Sequence, residues 1–91
     1  MIRRTDANHK QILQLLKRIP NLSVFSTHIL GKGFPDIVIG YNGINYLVEI
    51  KDGNKVKSQK KLTEAETKFH EQWKGQIMIA ENIDEILKIL I

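Results

Sequence analysis

Asn42-Gly43 separates two alternating apolar runs, Ile37-Val38-Ile39 before it and Ile44 to Ile50 after it, and this feature constrains folding more tightly than any other in the chain. A type I′ turn needs positive φ at both central positions, which Asn and Gly tolerate, so the dipeptide predicts a two-residue hairpin loop. The loop fixes the register, because a slip of one residue would move every side chain to the wrong face. Tyr41 then faces Ile44, Ile39 faces Tyr46, Val38 faces Leu47, and Asp36 faces Glu49. Two carboxylates so opposed, with Cβ atoms roughly 4.5–5.5 Å apart, destabilise a sheet, and a bound cation reverses that penalty. Lys51 emerges on the same side as Glu49, about 7 Å further along the strand. An acid pair with an adjacent amine has the make-up of a hydrolytic metal site.

Composition bounds what surrounds this hairpin. The chain has 91 residues, 42% of them hydrophobic, so a single domain over residues 1–91 with one modest core is expected. It contains no cysteine, which excludes a disulfide framework and thiolate metal sites and fits a reducing compartment. Met1-Ile2-Arg3-Arg4-Thr5-Asp6 turns polar at once, and no apolar run approaches the roughly 20 residues that span a bilayer. A soluble cytoplasmic protein without a membrane partner is therefore expected. The net charge of +4 tilts mildly toward polyanions.

The rest of the chain reads as a mixed order of elements. Ile12, Leu15, Leu16 and Ile19 follow helical spacing from about Asp6 to Arg18, and Pro20-Asn21 stops that helix. Leu22 to Leu30 is rich in β-branched and apolar residues and predicts a strand ended by Gly31-Lys32-Gly33. In the hairpin, Ile37, Ile39, Tyr46, Val48 and Ile50 line one face and Val38 and Leu47 the other, which predicts a mid-sheet position covered on both sides. Residues 52–61 read as a polar basic loop. Thr63 with Glu66 forms a capping-box pattern opening a helix, in which Phe69 and Trp73 are expected to pack inward at i, i+4, and Gly75 ends it. Gln76 to Ala80 predicts a short strand, and Ile83 to Leu90 a final helix with Ile86, Leu87 and Leu90 apolar.

This order, αβββαβα, with Pro35-Asp36 on the second strand and Glu49-Ile50-Lys51 on the third, resembles the PD-(D/E)XK nuclease superfamily. Asp6-Ala7-Asn8, Gly31-Lys32-Gly33-Phe34-Pro35-Asp36, Glu49-Ile50-Lys51-Asp52-Gly53, and Leu62-Thr63 with Glu66, His70, Trp73 and Gly75 look like the small stand-alone virus-type replication-repair nucleases (VRR-NUC) of phages and prophages. The likeness covers nearly the whole chain. It implies an α/β restriction-endonuclease-like core, with a central mixed sheet flanked by helices. It also implies a metal-dependent DNA endonuclease acting on branched or junction DNA in the manner of a Holliday-junction resolvase, in a bacterial or phage-infected cell.

Phosphodiester hydrolysis needs an activated water, neutralisation of charge on the phosphoryl oxygens and stabilisation of the leaving alkoxide, and divalent cations on hard oxygen ligands supply all three. Asp36 and Glu49 are such ligands. The resemblance implies that the backbone carbonyl of Ile50 completes the cage and that Lys51 holds the attacking water and steadies the developing charge. Mg²⁺ or Mn²⁺ suits this set better than zinc, because it lacks sulfur and has at most one imidazole. Lys32, Lys55, Lys57, Lys60 and Lys61 are candidate contacts to the nucleic-acid backbone. Related nucleases place a glutamate near the position of Asn8-His9, so His9 is a further site candidate, and His70 is another. Asp6 reads equally as a helix cap or a ligand, His28 as structural, and Phe69 and Trp73 as core rather than base-stacking platforms. Cutting both strands of a junction needs two active sites, so a homodimer is expected. The alternatives are a basic nucleic-acid-binding module with an inactive site, and a small interaction protein that binds no nucleic acid.

Overall fold

The computed structural model of the protein describes residues 8–52 and 61–91. Their elements are α1 (His9–Leu16), β1 (Leu22–Ser26), a 3-10 turn (His28–Leu30), β2 (Ile37–Tyr41), β3 (Ile44–Ile50), α2 (Glu64–Gln72), β4 (Gln76–Ala80) and α3 (Ile83–Leu90). The strands form one mixed sheet in the order β1-β2-β3-β4, an antiparallel meander to which β4 adds parallel to β3. A parallel pair requires a crossover, and α2 lies within it. The result is an α/β fold with the element order expected from the sequence.

The Asn42-Gly43 loop sets the centre of this sheet. Both residues have positive φ, 53° and 78°, and β2 pairs with β3 through Tyr41↔Ile44, Ile39↔Tyr46 and Val38↔Leu47. Alternation then sends Ile37, Ile39, Tyr46, Val48 and Ile50 to one side, where they pack with Met78 and Ala80 of β4, Ile12 and Leu16 of α1, and Ile86 and Leu90 of α3. The other side is covered only in part. Leu47 is buried and Val38 half-buried, but Phe25 is 74% exposed and Ile79 46% exposed. The expectation of cover on both faces therefore holds for the middle of the hairpin and not for the strands beside it.

Several boundaries differ from the sequence reading. The first strand stops at Ser26 instead of reaching Leu30. Thr27 still holds the second strand, its N–H donating to the Asp36 carbonyl at 2.8 Å and its hydroxyl to the Pro35 carbonyl at 2.7 Å. Proline has no N–H for the ladder. Past Thr27 the chain coils into the 3-10 turn, which leaves Ile29 84% and Leu30 57% exposed. The first helix ends at Leu16 and not at Arg18, and Asp6 lies outside the described residues.

Of the basic loop, residues 53–60 lie outside the described residues, Asp52 is buried and Lys61 exposed. The Thr63–Glu66 capping box is present in both halves. Its helix ends at Gln72, because Trp73 turns extended (φ −73°, ψ 130°), two residues before Gly75. Phe69 and Trp73 do not join the core as expected. They stack on each other at 5.2 Å, Phe34 meets Phe69 edge-on at 5.1 Å, and Trp73 is 42% exposed. Among the described residues, no helix is long and apolar enough to cross a membrane.

Candidate active site

Asp36 and Glu49 meet at the open end of the hairpin, though not as a ladder pair. The paired register ends at Ile37↔Val48, and the N–H of Asp36 also donates to the Val48 carbonyl at 3.0 Å, so two successive residues address Val48. The Ile50 N–H turns instead to the Asp36 side chain, donating to Oδ2 at 2.8 Å. Asp36 is thus held by its own backbone, by Thr27 and by Ile50, and only 8% of it is exposed. Glu49, on the face away from the apolar core, is 3% exposed.

The third strand and second helix supply the other charges. Lys51 follows Glu49 on the same side, and its ammonium lies 3.6 Å from Glu49 Oε2 and 3.0 Å from Glu66 Oε1. Glu66 is fixed by the first turn of α2, where Oε1 accepts from the Thr63 N–H at 2.8 Å while the Thr63 hydroxyl accepts from the Glu66 N–H. The chain reaches this helix closely at Gly33, where φ is 82° and a Cβ would collide with the Ala65 backbone, so glycine is required there.

Three carboxyl groups around one ammonium leave an excess of negative charge. Burial first, then the charges of Asp36 and Glu66, push the Glu49 carboxyl up to about 9. Burial also raises Glu66, but the Thr63 N–H and the Lys51 ammonium outweigh it and hold that carboxyl below its ordinary value. Without a cation, Glu49 therefore keeps its proton at neutral pH. Its Oε1 is buried and has no hydrogen-bond partner among the described residues. A hard divalent cation answers both conditions, since it replaces the proton and fills the open oxygen. The donor set fits Mg²⁺ or Mn²⁺ on Asp36 and Glu49.

The structure thus brings together Asp36, Glu49, Lys51 and the backbone of Ile50. His70, one turn after Glu66, flanks them; burial lowers its pKa and Glu66 partly offsets this. His9 is also near, on the α1 side, its ring edge-on to His28 at 5.6 Å. Asn8 straps the site, its amide donating to the carbonyls of Lys51 at 3.2 Å and Glu81 at 2.9 Å, while its buried Oδ1 has no hydrogen-bond partner among the described residues. Lys32 is exposed in a left-handed turn, φ 56°. Lys55, Lys57 and Lys60 lie outside the described residues.

Two residues have contacts that local sequence pattern does not show. Glu66, a cap by its spacing from Thr63, also pairs with Lys51. His28, expected to be structural, has its Nδ1 3.5 Å from Asp36 Oδ1. No family model, curated protein or solved structure matches this chain significantly.

Proposed function

We propose that the protein is a Mg²⁺- or Mn²⁺-dependent DNA endonuclease with a PD-(D/E)XK core of the VRR-NUC type, a single nuclease domain that hydrolyses phosphodiesters. The observation that carries this reading is the buried Asp36–Glu49 pair with Lys51 beside it, an arrangement that costs stability unless a cation is bound. Asp36 Oδ, Glu49 Oε1 and the Ile50 carbonyl would hold the ion, which when bound would neutralise charge on the phosphoryl group and make water more acidic.

The protein's own groups do the rest. The N–H of Ile50 and the backbone of Val48 aim Asp36, so its carboxylate is placed before substrate arrives. Glu66 holds Lys51 at the mouth, where the ammonium orients water for in-line attack and steadies the developing phosphoryl charge. Lys32, Lys61 and the lysines at 55, 57 and 60 supply the phosphate contacts. Branched or junction DNA is the substrate class, and paired cuts in it call for a homodimer.

The test is nicking of supercoiled plasmid with Mg²⁺ or Mn²⁺, abolished by chelator. Asp36→Asn, Glu49→Gln and Lys51→Ala should each remove most cleavage while keeping the fold and much of the DNA affinity. Wild-type activity in Lys51→Ala would take that residue out of the mechanism. Salt-sensitive DNA binding with no cleavage in any metal would leave the inactive binding module as the better reading.

A further inference from the structure

On the α1 side of Asp36 a second set of donor atoms converges. His9 opens α1, His28 opens the 3-10 turn and Asp36 leads into β2; all three are buried, and one donor atom from each lies within 4.8 Å of the others. Asp36 presents its two oxygens differently, Oδ2 accepting the Ile50 N–H while Oδ1 lies 3.5 Å from His28 Nδ1. That last distance is longer than a normal N–H···O bond. It matches the roughly 3.4 Å edge of a tetrahedron whose metal–ligand bonds are about 2.0–2.1 Å.

From this geometry we infer that His9, His28 and Asp36 form a binding site for a zinc-class divalent cation, distinct from the all-oxygen site of Asp36, Glu49 and the Ile50 carbonyl. Two imidazoles and one carboxylate are borderline donors, which favour Zn²⁺, Co²⁺ or Ni²⁺ over Mg²⁺. All three separations lie within 4.8 Å, so closing the set onto one ion needs side-chain movement of no more than about an ångström. The shared carboxylate places this ion against the hydrolytic site, while the two imidazoles come from segments that the Mg²⁺ site does not use. The ion therefore ties three separate segments at the mouth of the sheet. With three protein ligands, a fourth position stays open to water.

The site is tested on the whole protein with Zn²⁺ alone, followed by ¹H–¹⁵N spectra of the imidazoles. One equivalent of Zn²⁺ should shift the ring signals of His9 and His28 together and leave those of His70 in place. By calorimetry, His9→Gln and His28→Gln should each weaken Zn²⁺ affinity at least about tenfold, while Glu49→Gln should leave it within about threefold. The site is refuted if the wild-type imidazole signals do not move, or if Glu49→Gln weakens Zn²⁺ as much as His28→Gln does. The spectra use unaltered protein, so a variant that fails to fold does not blunt the test. Plasmid nicking with Mg²⁺ but no imidazole shift refutes this site alone, and an imidazole shift in a protein that never nicks DNA refutes the nuclease reading alone.

Discussion

On one face of the β2–β3 hairpin, Ile37, Ile39, Val48 and Ile50 are sealed under α1 and α3; at its open end Asp36 and Glu49, the latter beside Lys51, are almost as deeply buried. The same strands and the same turn build both regions, yet burial has opposite signs in the two. Each Å² of apolar surface removed from water stabilises by about 25 cal/mol, whereas an ionised carboxyl taken from water destabilises unless it is paired. The acid end therefore holds its geometry through the stability of the apolar face. Such a division fits the proposed metal site, where the carboxyl groups would be in conflict until a cation bound.

The sharpest break of this comparison sets one residue of each region against the other. Ile39→Ala leaves a cavity in the core and should lower unfolding free energy by about 2–5 kcal/mol. Glu49→Gln, at equal burial, should be neutral or stabilising in chelator, because it removes a repelled carboxyl. Urea unfolding of both variants decides the matter. If Glu49→Gln proves as costly as Ile39→Ala, Glu49 is a structural acid and the division disappears.

Metal should sharpen the contrast by a slightly smaller amount. An ion bound only by the folded protein stabilises it by about 2.7 kcal/mol at a hundredfold excess over Kd. Wild type should show this gain with Mn²⁺, and Asp36→Asn should lose most of it while melting no lower than wild type in EDTA. The contrary pair of results, a low melting point in EDTA with the full Mn²⁺ shift, would remove Asp36 from the ion.

The next effect lies in pH. Glu49 titrates at about 9 in the folded protein against an ordinary 4.5, so the folded state holds the proton more tightly. Its stabilising contribution, measured against the ionised form, is complete below about 4.5 and is lost as pH rises to about 9. In chelator the stability of wild type relative to Glu49→Gln should therefore fall across that window. With Mg²⁺ the fall should shrink, because ion binding displaces the same proton. A difference between the two proteins that stays flat with pH would mean that Glu49 is ionised throughout.

How much of this was legible in the chain follows from the range of the forces. The turn, the register, the apolar face and the capping box depend on neighbours in sequence, and Asn42-Gly43, the alternation about it and Thr63-Glu66 all read correctly. The hairpin brings Asp36, Glu49 and Lys51 to one end as its register predicts, although the ladder stops at Ile37↔Val48 and Asp36 meets the third strand through its side chain. The approach of His28 to Asp36 depends on where β1 leaves β2, a tertiary register that local pattern does not carry. A signal was present in Pro35, whose missing N–H ends that pairing, but β-branched Ile29 with Leu30 outweighed it. Phe69 and Trp73 were misplaced because aromatic spacing on a helix marks an apolar stripe without saying whether anything covers it.

The smallest expected effect separates two jobs of one side chain. Glu66 closes the capping box of α2 and also pairs with Lys51, so a change at Glu66 disturbs helix and site together. Thr63→Ala removes only the cap hydroxyl and keeps the residue 63 N–H that Glu66 accepts; it should lower stability by about 1 kcal/mol and leave the Glu49 titration near 9. Glu66→Gln keeps a carbonyl acceptor for that N–H but removes the charge. Glu49 then loses one repelling carboxylate and gains a larger share of Lys51, and both changes favour its ionised form. The pH window of metal-free stability should move toward acid in Glu66→Gln and stay in place in Thr63→Ala. If the two variants move the window equally, Glu66 acts on the site only by shaping the helix.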